Sequence, residues 1–323
     1  MELQSFLITF REALEAILIV GVIVTYLKRI DQTQWNKWVW VGVVLALIAS
    51  YGVALVFQTV LTGFATMGSQ NYLKIGIMLA SCVLLSHMVL FMSRQSRNMQ
   101  DKVEHKLSAV LTAGGVANMI VHSFLVVVRE GVETVFFFAA ITGGDIQQAL
   151  QSWGALFGLL LAIAVGYFFF KGSRKIQLKT FFRITSIFLL MIAGGLLVQA
   201  VGIMQDIGLI GSVYRTPGGE IGEVYNLTAF MPEHPLDETQ YIRDTGDKPL
   251  INGQAGIFFK AFLGYTQNPS VEEFVLYWTY YLVLLILIGR LKKRDGSVSA
   301  NGSTAAARQR DASVSSRSSG NEA

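Results

Sequence analysis

Two short stretches place charge where the surrounding sequence is apolar. Arg11-Glu12-Ala13-Leu14-Glu15 lies in one apolar run, and Arg129-Glu130-Gly131-Val132-Glu133 lies in another. On a helix the glutamates of each motif are i, i+3 and the Arg and second Glu are i, i+4, so all three side chains share a face. The guanidinium can hold one carboxylate ionised and oriented while other carboxylate oxygens stay free for a cation. Four carboxylates, Glu12, Glu15, Glu130 and Glu133, would make an all-oxygen site suited to a hard metal ion. Arg11 and Arg129 would orient them. Each motif has net charge −1 when ionised, so the pair calls for a cation or for bound protons. A charge at the centre of a membrane helix costs about 2.5–3.5 kcal/mol, so three per motif oppose insertion by roughly 8–10 kcal/mol before pairing. An internal salt bridge locking helices together would explain one such motif. Two copies, each with one acid to spare, point to an ion pathway.

Other candidates carry less. His122 is seven residues before Arg129 and falls on the same stripe, as an accessory ligand. Lys74 near a span end suits a snorkelling side chain, and His87 suits a satisfied core histidine. Cys82 is the single cysteine, which excludes an intrachain disulfide and any cysteine-based metal site. No phosphate-binding glycine loop is present, which argues against ATP coupling within this chain.

The elements that must position these charges are membrane helices. Of the 323 residues, 52% are hydrophobic and 15% charged, against about 25% charged in a soluble domain. Apolar runs predict an all-α, polytopic membrane protein with seven transmembrane helices, over residues 4–27, 38–61, 71–93, 115–142, 153–170, 183–205 and 272–290. At about 1.5 Å per residue such runs cross a hydrocarbon core of roughly 30 Å. The first run has Arg11, Glu12 and Glu15 where a signal peptide would be apolar, so it reads as a retained helix. Alternate connections are basic: 19 Lys and Arg fall on one side and four on the other. The positive-inside rule then predicts the N-terminus outside and the C-terminus cytoplasmic. It also accounts for the pI of about 9.1 without nucleic acid.

The motifs belong to a repeat. Ser5–Glu15 aligns with Ser123–Glu133 at an offset of 118, with six of eleven positions identical. Three spans separate the copies, so they run in opposite directions, as in inverted-repeat transporters that bind substrate near the midplane. The expected organisation is a three-helix repeat over 1–93, a cytoplasmic loop over 94–107 and an inverted three-helix repeat over 108–205. An exofacial loop over 206–271, the seventh helix over 272–290 and a disordered cytoplasmic tail over 291–323 follow. Counting along the helices sets Glu15 level with Glu133. The 206–271 segment holds eight acidic residues, of which Glu220, Glu223, Glu233, Asp237 and Glu238 are candidates for capturing a cation.

With two Arg-Glu-x-x-Glu motifs in spans 1 and 4 of seven, the sequence resembles the oxidase-dependent iron permeases, which include fungal high-affinity permeases and bacterial EfeU-type transporters. The resemblance spans about residues 1–294. It implies a plasma-membrane or bacterial inner-membrane iron permease without catalysis of its own. Ferric iron would be handled by Glu12, Glu15, Glu130 and Glu133 with Arg11 and Arg129, as substrate and not as a permanent cofactor. It also implies an iron oxidase or iron-binding partner at the outer face; membrane lipid surrounds the chain, and a homo-oligomer is one assembly it can form. The alternative reading of the residues is a proton-coupled transporter of another cation or solute, with protons on the glutamates.

Overall fold

The structure is a computed structural model that describes residues 2–66, 69–95, 116–171, 178–215, 221–232 and 235–290. Its long helices are α1 (Glu2–Arg29), α2 (Asn36–Thr66), α3 (Gln70–Gln95), α4 (Val116–Ile141), α6 (Trp153–Phe170) and α7 (Leu178–Asp206). A short α5 (Ile146–Leu150) joins α4 to α6. Then come α8 (Pro235–Thr245), α9 (Gln254–Leu263) and α10 (Val271–Arg290). Among the described residues the only β pairing is two isolated bridges, Arg215 with Ile221 and Glu223 with Ser270.

Five stretches are long and apolar enough to cross a membrane: Thr33–Gly63, Gln70–Leu90, Trp153–Phe170, Phe182–Asp206 and Val271–Arg290. Helices α1 and α4 are as long, at 28 and 26 residues, but each carries its motif's three charges mid-helix. The surface agrees with a bilayer as solvent. Trp40, Val44, Leu47, Ile48, Tyr51 and Leu55 of α2 are all exposed, while Ala46, Ser50 and Ala54 of the same helix are buried. The outside is thus more apolar than the packing face, the reverse of a water-soluble helix. The chain is a multi-pass membrane protein.

Helix α1 packs along α6, α2 along α4, α3 along α7, and α1 also meets α4. The first two contacts rest on small residues spaced by four, Gly154-Gly158-Ala162-Gly166 on α6 and Gly42-Ala46-Ser50-Ala54 on α2, all buried. Small residues at this spacing let membrane helices approach closely. A Cβ at Gly154 would strike the Glu2 carbonyl, and one at Gly158 would strike the backbone at Phe6 and Phe10. Larger contacts continue each pair: Phe10, Leu14 and Leu18 pack with Ala162, and Phe57 meets Phe136 at 5.6 Å. Val20, Ile23 and Leu27 of α1 share one core cluster with Val39 and Ala46 of α2 and Met119 and Val127 of α4. The end of α1 therefore lies beside the start of α4, and the two run antiparallel.

The caps are local. Asp145 accepts from the Gln148 N–H to start α5, and the Ser152 hydroxyl accepts from the Ala155 N–H to start α6, the ordinary roles of these residues at helix N-termini.

The 206–271 segment is folded in part. Beyond α8 it sends the apolar α9 back along α7, where Phe258 and Phe262 pack on Phe188 with centroids 6.5 and 5.0 Å away. Gly264 touches Gly195 there, with no room for a Cβ on either. Gly195 is 11 residues before the end of α7, about 16 Å along it. The segment thus packs part-way along a candidate span. The tail 291–323 and most of the 94–107 loop fall outside the described residues.

Candidate metal centre

Arg11, Glu12 and Glu15 are all buried on α1. Arg11 Nη1 donates to Glu12 Oε1 at 3.0 Å and lies 3.1 Å from Met88 Sδ of α3. Its Nη2 is 3.9 Å from Glu15 Oε2. On α4 the pairing differs: Arg129 Nε donates to Glu133 Oε1 at 2.8 Å and stands 3.9 Å from Glu130. The two arginines also differ in surroundings. The Arg11 side chain is 0% exposed, whereas that of Arg129 is 55% exposed beside a 26% exposed Glu133. Arg11 is thus sealed by protein and Arg129 is not, although Glu130 beside it is only 4% exposed.

The motifs meet. Glu12, Glu130 and Glu133 each offer a carboxylate oxygen within 4.8 Å of the others, and this is the one such cluster among the described residues. Three oxygen ligands evenly spaced around a first-row metal at about 2.0–2.2 Å, as for zinc, lie no more than roughly 3.8 Å apart, so side-chain shifts of about an ångström would let the three oxygens hold one ion. Glu12 Oε2 and Glu130 Oε2 are buried without any hydrogen-bond donor. A buried carboxylate oxygen without a donor is costly, and a cation between them would satisfy both. The donor set is all carboxylate, as a hard cation prefers.

Helix geometry explains which glutamates converge. Glu12 is ten residues, about 15 Å, from the start of α1. Glu130 and Glu133 are about 16 and 12 Å from the end of α4, so in antiparallel helices Glu12 falls between them in depth. Glu15 is outside the cluster: its Oε2, also buried without a donor, lies 3.9 Å from Arg11 Nη2. His122 is also outside it, two turns nearer the start of α4.

Among the loop acids, Glu223 accepts from the side-chain amides of Asn226 and Asn268 at 2.9 and 2.7 Å. Asp237 accepts from Gln267 at 2.7 Å, and Glu238 accepts from the Asn252 amide at 2.5 Å. These acids staple the segment and do not gather. Glu220 and Glu233 lie outside the described residues. Lys74 lines a cavity of about 300 Å³ with Gln58, Thr62, Gln70, Thr142 and Asp145, its aliphatic stem against Gly143.

Two supports of the site were not anticipated. Met88 is the α3 contact of Arg11, and nothing in its own apolar run marks it. Ser50 sits with its hydroxyl against Gly131, inside the α4 motif, where a Cβ would overlap it. The four-residue spacing of small residues around Ser50 is visible in the sequence and locates that contact.

A multi-pass bundle of apolar helices that gathers three carboxylates inside it is suited to holding a cation within a membrane. The sequence matches the iron permease FTR1 family over residues 2–214, and the chain belongs to that family. It is 32% identical to the ferrous iron permease EfeU of Yersinia pestis over 285 residues, 87% of this chain and 91% of the relative. It is 29% identical to the ferrous iron permease EfeU of Escherichia coli O157:H7 over 300 residues, 91% and 98% of the two chains. No solved structure matches it. It is a permease and not an enzyme, and its function is iron transport across a membrane.

Proposed function

We propose that iron crosses through a path whose central station is Glu12, Glu130 and Glu133, with Arg11 and Arg129 orienting the carboxylates. The carrying observation is the convergence of both motifs within 4.8 Å, including two buried carboxylate oxygens without donors. In this reading α1 and α4 also span the bilayer, making seven spans, with the N-terminus outside and the C-terminus cytoplasmic. The helix contacts support an inverted repeat. Exchanging α1 with α4, α2 with α6 and α3 with α7 maps the α1–α6 contact onto α2–α4. The same exchange leaves the α3–α7 and α1–α4 contacts in place.

The all-carboxylate donor set supports ferric iron at the station, which requires an oxidising or iron-binding partner outside the membrane. The relatives' name, ferrous iron permease, supports a second reading in which Fe²⁺ itself enters. Uptake into proteoliposomes holding this chain alone, with each oxidation state supplied, separates the two. Glu12→Gln, Glu130→Gln and Glu133→Gln should each lower uptake by more than the roughly 10- to 100-fold that loss of a ligand's supporting hydrogen bond costs a metal site. Wild-type uptake by Glu130→Gln at normal abundance would overturn the path.

A further inference from the structure

One face of α1 changes character at Glu12. Residues 18 apart on an α-helix point the same way, because 18 steps of 100° make five full turns. Ser5 therefore shares its direction with Ile23, and Thr9 shares its direction with Leu27. Glu12 lies between, within about 20° of Ser5 and one turn beyond Thr9. The C-terminal half of this stripe is closed: Ile23 and Leu27 are 0% exposed in a cluster with Val39 and Met119. The N-terminal half carries two hydroxyls. Ser5 is 0% exposed, and Ser5 Oγ and Thr9 Oγ1 are buried without a hydrogen-bond partner in the protein. Such groups are rare and call for an explanation.

The second motif lacks the same feature. At the repeat offset Ser5 corresponds to Ser123 and Thr9 to Val127. The Ser123 hydroxyl donates back to the Met119 carbonyl at 2.8 Å and lies 3.1 Å from that of Ile120, and Val127 belongs to the apolar cluster. Of the two motif helices, α1 alone thus carries such hydroxyls leading up to the carboxylates; the other buried serine hydroxyls without a partner among the described residues, Ser50 and Ser81, stand on α2 and α3.

We infer that Ser5 and Thr9 form a waiting station for a partly hydrated iron ion on its way to Glu12, and that Ile23, Leu27, Val39 and Met119 close the path beyond the carboxylates. Hydroxyl oxygens replace part of the ion's water one and two turns before the triad. This rests on the permease reading and its orientation.

Cysteine accessibility tests it without transport. Ser5→Cys, Thr9→Cys, Ile23→Cys and Leu27→Cys, each with Cys82→Ser, are exposed in spheroplasts to a small cationic thiosulfonate added outside. Reactivity follows access, so Thr9→Cys should be modified at least about ten-fold faster than Leu27→Cys. Equal rates at Thr9→Cys and Leu27→Cys, or faster modification at Leu27→Cys, would overturn the station. Should a cysteine variant fail to accumulate, uptake decides. Thr9→Ser should keep the KM for iron, while Thr9→Val raises it several-fold with the maximal rate less affected; an unchanged KM in Thr9→Val overturns the proposal. The permease reading fails separately, through intact uptake in the glutamate variants.

Discussion

The two arginines occupy the same motif position, yet the structure assigns them different consequences. Arg11 is enclosed, with Glu12 at 3.0 Å, Glu15 at 3.9 Å and Met88 against its other side. Arg11→Gln leaves two buried carboxylates without their counter-charge, and breaking a buried pair in this way costs about 3–5 kcal/mol. Arg129 is more than half exposed, so the protein does not enclose its pair, and Arg129→Gln should destabilise by clearly less than Arg11→Gln. SDS-driven unfolding of the purified chain in mixed micelles measures both losses. The Arg11→Gln, Glu12→Gln double variant should recover part of the loss, with a coupling of at least about 1 kcal/mol, whereas the Arg129→Gln, Glu133→Gln cycle should couple by less. Equal destabilisation by the two arginine variants would refute the reasoning from burial.

Glu15→Gln should leave iron binding to the purified chain within about ten-fold of wild type while Glu12→Gln does not, because only Glu12 joins the triad; calorimetry checks it, and equal losses contradict it. Iron binding should weaken as pH falls, since protons compete for the same carboxylate oxygens and the metal must displace them. Calorimetry in buffers of different ionisation heat counts the protons released. Gly131→Ala should cost about 1–3 kcal/mol in the same unfolding assay, because its Cβ overlaps Ser50 Oγ, against the usual gain of up to about 1 kcal/mol for Gly→Ala in a helix. Adding Ser50→Gly should restore stability. Cysteines at Ser212 and Ser299, with Cys82→Ser, should react with an impermeant maleimide added outside only at Ser212.

Much of the fold was legible in order. Apolar runs located the long helices to within a few residues, because a membrane helix must satisfy its own backbone and be long enough to cross. Where ends moved, as for α2 at Asn36–Thr66, the extra turns lie beyond the apolar stretch, where composition does not mark the helix end. The 206–271 segment was read from its charge and proline content, which hid the ten-residue apolar helix α9 packed on α7.

For the site, sequence by itself determined the residue types, their i, i+3 and i+4 spacing, and their depth to about one helical turn. All three follow from the fixed rise and twist of an α-helix. Only the tertiary structure decided that Glu12 and not Glu15 joins the tightest oxygen cluster with Glu130 and Glu133, and that Arg11 is enclosed by protein while Arg129 is not. Those facts depend on how far each helix is rotated about its axis. In water an apolar stripe marks the inward face, but in lipid both the packed and the outer faces of a helix are apolar. The rotation was therefore set by small residues such as Gly154, Gly158, Ser50 and Gly131, where two backbones come close enough to choose it.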